Sequence, residues 1–168
     1  MLMAANTWPA DLAPEALAGW LNQFTEGTLI AHLGIRLVEV GAKRAVGELP
    51  VHPEVCLRGG LVHTGSMLSL ADTVATFAAM AATGSGFDPG RFPAAIGLSS
   101  QIVGNVQEGV LRAESVVTHP GRTLVVVETR VTTSTGRLLA LVTTTHLIRA
   151  PGPPAANEDD SVTRRGST

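Results

Sequence analysis

The chain has 168 residues, a formal net charge of -2, 45 % hydrophobic and 15 % charged residues. That length suits one domain with a real core, and the near-balanced charge, with no Lys/Arg cluster before the last few residues, gives no electrostatic case for nucleic acid. The single cysteine, Cys56, rules out an internal disulfide and fits a reducing compartment.

The chain opens with no basic start followed by an apolar stretch, so no secretory signal is expected. Residues 9–24, PADLAPEALAGWLNQF, predict a short amphipathic helix, with Leu12, Leu17, Trp20, Leu21 and Phe24 near one side. Two strands follow, at 35–40 and 44–51, joined by a turn at 41–43. The Pro/Gly-rich passage HPEVCLRGG leads into a long apolar helix over about 65–82, with Thr64 as its N-cap and Gly84 as its stop. The loop SGFDPGRFP comes next. Strands are then predicted at 94–103, 110–118, 123–133 and 138–149, separated by the turns HPGR and STGR. Val125, Val127 and Val131 share one face of their strand while Glu128 and Arg130 share the other, as in an antiparallel sheet covered on one side. The tail, APGPPAANEDDSVTRRGST, is Pro-rich and polar and is expected to be disordered. The implied architecture is α+β: a curved antiparallel sheet wrapped around a central helix, with a short helix in front. The expected organisation is an N-terminal extension (1–28), one domain (29–149) and a tail (150–168).

Asp72 carries the chemistry of this sequence. It is the one formally charged side chain between Gly59 and Phe87, in GGLVHTGSMLSLADTVATFAAMAATGSGF. A helix apolar over most of its circumference is normally buried, and a carboxylate inside it must be paired, protonated or useful. A membrane span is the poorer reading of this run: glycines interrupt it, and a central Asp costs roughly 2.5–3.5 kcal/mol there. Gly65, Ser69, Asp72 and Thr76 recur at steps of four, three and four, forming a polar stripe. The hydroxyl of Thr76 stands one turn beyond Asp72, where it can orient a water or donate to the carboxylate. Unpaired N–H groups at Thr64 and Gly65, next to His63, suit a carbonyl oxygen that becomes negative. The carboxylate lies about 10–12 Å along the axis from those donors. One subunit cannot bring both to the same carbonyl, so if they cooperate a second copy of the chain is expected to supply the carboxylate, and the spacing points to a homodimer with shared sites. The structural alternative has Asp72 bonded to Ser69, Thr76 or backbone, and His63 as a hydrogen-bonding residue at the start of the helix.

The stretch GGLVHTGSMLSLADTVATFAAM resembles the signature of the hotdog-fold acyl-CoA thioesterases of the PaaI type, a G-x-x-H-G-G motif followed by about seven mostly apolar residues and an Asp or Glu. Gly60, His63, Gly65 and Asp72 keep its spacing. The likeness extends through HLGIRLVEV and ELPVHP to THPGRTLVVVETRV–TTSTGRLLALVTTTHLI, roughly residues 30–149. It implies a hotdog fold, a homodimer or dimer of dimers (a homotetramer), and hydrolysis of an acyl-CoA or aryl-CoA thioester; a cytoplasmic location is expected separately, from the missing signal and the amphipathic strands. No cofactor, metal, nucleic acid or membrane is implied, CoA being part of the substrate. Asp72 would be base or nucleophile, and the N–H of Thr64, helped by that of Gly65, would polarise the carbonyl. His63 would support that geometry, and Thr76 matches a hydroxyl of some relatives. Gly121, Arg122 and Thr123 would meet the CoA phosphates or pantetheine. Two departures stand out. Thr64 replaces the first glycine of H-G-G, and Leu57 stands where relatives carry Asn or Gln. The alternative they favour is a non-catalytic hotdog protein that binds an acyl thioester or another apolar ligand.

Overall fold

The computed structural model describes residues 8, 9 and 11–148, so the expected tail falls outside the described residues. Three helices and six strands follow one another as α1 (Pro14–Asn22), α2 (Leu29–His32), β1 (Arg36–Val40), β2 (Arg44–Pro50), α3 (Thr64–Thr83), β3 (Pro93–Ile102), β4 (Val110–Pro120), β5 (Leu124–Thr133) and β6 (Leu138–Ile148). The strands form one antiparallel sheet in the order β1-β2-β4-β5-β6-β3. This is the expected hotdog arrangement, with the sheet curled around α3. The sequence anticipated every strand. It missed the four-residue α2, too short for periodicity to register.

α3 lies against all six strands because its side chains allow it. Met67, Leu70, Ala71, Val74, Ala75, Ala78, Ala79 and Met80 are buried, and the alanines let the sheet approach closely. At Gly47 on β2 the fit is tight enough that a Cβ would come within 2.6 Å of Val74 Cγ2. α3 is also the described helix long and apolar enough to cross a bilayer, and it sits in the core. Its left-handed C-cap is Gly84, as anticipated, with φ 60°. Its N-cap is His63 rather than Thr64, which becomes the first helical residue.

The front helix α1 is part of the same core. Leu17, Ala18 and Leu21 are buried with the α3 residues. The Asn22 amide holds the end of α1 to β1, accepting from Leu37 N–H at 2.9 Å and donating to Leu37 C=O at 2.8 Å. On the wet face the charges of β4 pair with β2: Arg112 with Glu48 at 2.6 Å, and Glu114 with Arg44 at 2.7 Å. Arg44 also pairs with Glu39.

Candidate active site

The start of α3 is held by a small set of hydrogen bonds. The carbonyl of Val55 accepts from His63 N–H at 2.9 Å and from the buried Ser66 hydroxyl at 3.0 Å. The Asn105 side chain donates to Val62 C=O at 2.9 Å, and Val62 N–H donates to Val106 C=O at 3.0 Å. His63 is thereby fixed as the helix begins. Its Nδ1 accepts from Gly65 N–H at 2.8 Å. Because a backbone N–H can only donate, Nδ1 is unprotonated and the neutral ring carries its hydrogen on Nε2. A Cβ at Gly65 would stand 2.9 Å from His63 Nδ1, so glycine is required for the ring to lie there.

Two expectations about this helix start change. The N–H of Gly65 is committed to His63 and is not a free donor. The N–H of Thr64 has no hydrogen-bond partner among the described residues and points from an exposed first turn, as helix geometry requires. The donors available there are thus Thr64 N–H and His63 Nε2–H.

On the side of α3 that the sheet leaves open, Leu68, Ser69, Asp72, Thr73 and Thr76 are half-buried, in a stripe of helical spacing. Asp72, Thr73 and Thr76 line a cleft of about 390 Å³, whose other walls are mostly apolar. The Asp72 carboxylate makes no hydrogen bond or ion pair among the described residues. The structural alternative required it to be satisfied by Ser69, Thr76 or backbone, and none of these bonds is present. Thr76 stands beside it without donating to it.

His146, on the core-facing side of β6, was not singled out by sequence because nothing near it in the chain marks it. It is fully buried. Its Nε2 lies 2.9 Å from Thr144 Oγ1, and its Nδ1 is the one buried side-chain polar atom without a partner among the described residues. Burial holds its pKa below the ordinary histidine value, opposed by the Pro93 backbone and by the negative charge of Asp72. Pro93 and Ala95, the latter opposite His146 in the β3–β6 register, both line the Asp72 cleft.

Gly121, Arg122 and Thr123 occupy the β4–β5 turn and do not line that cleft. Arg122 is exposed and has no ion-pair partner among the described residues. Leu57 is 48 % exposed and borders a separate surface cavity of about 410 Å³ with Arg58, Gly60 and Gln107. Among the described residues no group of three or more His, Cys, Asp or Glu is placed to hold a metal ion.

A sheet curled around one buried helix, with a carboxylate opening into a mostly apolar cleft, defines a hotdog-fold protein. The sequence model of the Thioesterase superfamily matches residues 59–140. A protein of Deinococcus radiodurans that carries a provisional esterase name is 35 % identical over 136 residues, covering 78 % of this chain and 82 % of that one. The chain belongs to the thioesterase superfamily. A thioesterase of Haemophilus influenzae superposes with TM-score 0.74 at 19 % identity, covering 83 % of this chain and 94 % of that structure. A mutant thioesterase of Pseudomonas aeruginosa gives 0.73 at 19 %, over 86 % and 99 %. Those two likenesses establish the fold, and family membership brings the reaction class, hydrolysis of a thioester.

Proposed function

We propose that the chain is an acyl-CoA thioesterase of the PaaI type, working as a homodimer in which each site draws on both subunits. The observation that carries this reading is the Asp72 carboxylate, without a partner among the described residues and half-buried at the wall of a mostly apolar cleft. A carboxylate kept there without a partner is a cost to folding unless it acts on a ligand.

The acyl group occupies the cleft beside α3 and the thioester carbonyl faces a helix start. Thr64 N–H, with His63 Nε2–H beside it, accepts the charge that develops on the carbonyl oxygen. Asp72 takes a proton from water as the water oxygen bonds to the carbonyl carbon. When the C–S bond breaks, that proton goes to the leaving CoA sulfur. Thr64 and Asp72 are eight residues apart, about 12 Å along one helix, so the donors act on a carbonyl served by Asp72 of the partner subunit. The edge strand β3 supports such a dimer. Its outer side is unpaired among the described residues, and Ile96 and nearby Val103 are 59 % and 60 % exposed. A bare apolar strand edge invites antiparallel pairing with a second copy. The exposed Arg122, with Gly121 and Thr123, contacts the CoA phosphates or pantetheine. The competing reading, ligand binding without turnover, draws on Leu57 and on the commitment of Gly65 N–H to His63, which together reduce the donors.

Release of free thiol from a panel of acyl-CoA esters tests this. Asp72→Asn is expected to lose about 10²–10⁴-fold in turnover with its fold intact. Mixed dimers of Asp72→Asn and His63→Ala subunits should regain part of the activity that each lacks alone. Full turnover by Asp72→Asn overturns the catalytic role, and no turnover by the wild type on any ester favours the binding reading.

A further inference from the structure

All four phenylalanines of the chain, Phe24, Phe77, Phe87 and Phe92, line the cleft that holds Asp72. Both tryptophans pack against two of them, Phe24 and Phe87. Trp20 packs on Phe24 at 4.8 Å between ring centroids and on Phe87 at 6.2 Å, Phe24 meets Phe87 edge-on at 6.5 Å, and Trp8 meets Phe87 edge-on at 6.2 Å. Spacings and tilts of this kind are those that aromatic pairs favour, so the group forms a braced wall. Its brace extends to the backbone, since a Cβ at Gly86 would come within 2.8 Å of Trp8 Cβ.

The wall has a definite place. Along α3 the cleft is lined by Asp72, Thr73, Thr76, Phe77 and Met80. From Asp72 to Met80 is eight residues, about 12 Å of helix. Phe87 follows the C-cap Gly84 by three residues, so Phe87 and the Phe24 packed on it stand toward the Met80 end of the cleft, away from the carboxylate. Phe24 comes from the segment between α1 and α2, held by the Asn22–Leu37 bonds. That segment precedes residues 59–140, the part matched by the family model.

We infer that Phe24 and Phe87, backed by Trp20, are the stop that sets how long an acyl group this protein accepts. The inference rests on the thioesterase reading of the Asp72 cleft and deepens it to a substrate class. An extended chain advances about 1.2 Å per bond, from roughly 3.6 Å per three-bond residue. The 12 Å between Asp72 and Met80 therefore takes about ten bonds. Apolar acyl groups up to that reach fit lengthwise. Longer fatty chains meet the aromatic wall. The volume agrees: about 390 Å³ is near the low end of ligand pockets, roughly 300–1,000 Å³, enough for an acyl group but not for CoA as well.

The test uses the full-length protein and straight-chain acyl-CoA esters of about 2 to 16 carbons, with kcat/KM read by thiol release. Wild type is expected to peak near 8–10 carbons and to fall roughly ten-fold or more at 14–16. Phe24→Ala and Phe87→Ala should move the fall-off outward by about four carbons, the reach of a removed phenyl ring at 1.2 Å per bond. Phe24→Leu, which keeps an apolar side chain against Trp20, should move it less and serves if the alanine variant melts early. The same chain lengths are titrated as free carboxylates against tryptophan fluorescence, since both tryptophans touch the wall. If no ester releases thiol, the hydrolysis reading fails, and the carboxylate affinities still judge the stop. A wild type that handles or binds 16 carbons as well as 8, or a cut-off unchanged in both alanine variants, overturns it.

Discussion

Gly65→Ala separates stability from activity in a way that only the contact between Gly65 and His63 predicts. The added Cβ would lie 2.9 Å from His63 Nδ1 and 3.2 Å from Cε1, closer than a Cβ settles against a ring. The imidazole must swing away and gives up the 2.8 Å bond from the residue 65 N–H. Loss of an N-terminal cap costs about 0.5–2 kcal/mol. Replacing a helical glycine by alanine returns at most about 1 kcal/mol. The two nearly cancel, so a net change within about 1 kcal/mol is expected, a shift of roughly 2–4 °C in Tm for a chain of this size. Activity has no such compensation. On the proposed mechanism His63 Nε2–H leaves the helix start, and removing one donor from an oxyanion site costs about 2.7–4 kcal/mol, a factor of about 10²–10³ in turnover. The assay is thiol release from an accepted acyl-CoA beside a thermal melt, for Gly65→Ala, His63→Ala and the double variant. Because both substitutions remove the same ring position, the double variant should be no slower than the worse single one. Gly65→Ala turning over like wild type, or losses that multiply in the double variant, would refute the assignment of His63 as a placed donor.

His146 gives the fold a pH dependence whose sign follows from its burial. The unfolded chain binds a proton on this residue as pH falls below about 6.5, while the buried ring resists it. Its contribution to stability is therefore full above about 6.5 and is lost as pH falls from there through the lowered folded value, at up to about 1.4 kcal/mol per pH unit. Urea unfolding of wild type and His146→Gln across that range should give curves that converge toward acid, and parallel curves would refute the reasoning. Asn22→Ala removes both bonds that hold α1 to Leu37. A loss of about 1–3 kcal/mol is expected in denaturant unfolding, with faster hydrogen exchange at the Leu37 amide.

The placement of Asp72 was legible in the sequence because a lone charge in an apolar helix is conspicuous without any neighbours. The strands were legible too, since Val125, Val127 and Val131 alternate with Glu128 and Arg130 on a half-covered sheet. His63 was legible as a residue at the helix start, but its role as N-cap was not. Which of His63 and Thr64 caps the helix depends on the Val55 carbonyl, which binds His63 N–H and the Ser66 hydroxyl from outside the helix.

Chain order and side-chain periodicity determined the elements and the face on which the carboxylate would stand, because both act over a few residues. The cleft was decided by tertiary structure alone. Its wall joins Phe24 from the front of the chain to Phe77, Phe87 and Phe92 far beyond it, and scarce aromatics scattered along a sequence carry no signal that they will meet. The same holds for His146, set opposite the cleft-lining Ala95 by the pairing of β6 with β3. Contacts between residues distant in sequence arise from packing a whole sheet around one helix, and no local pattern records them.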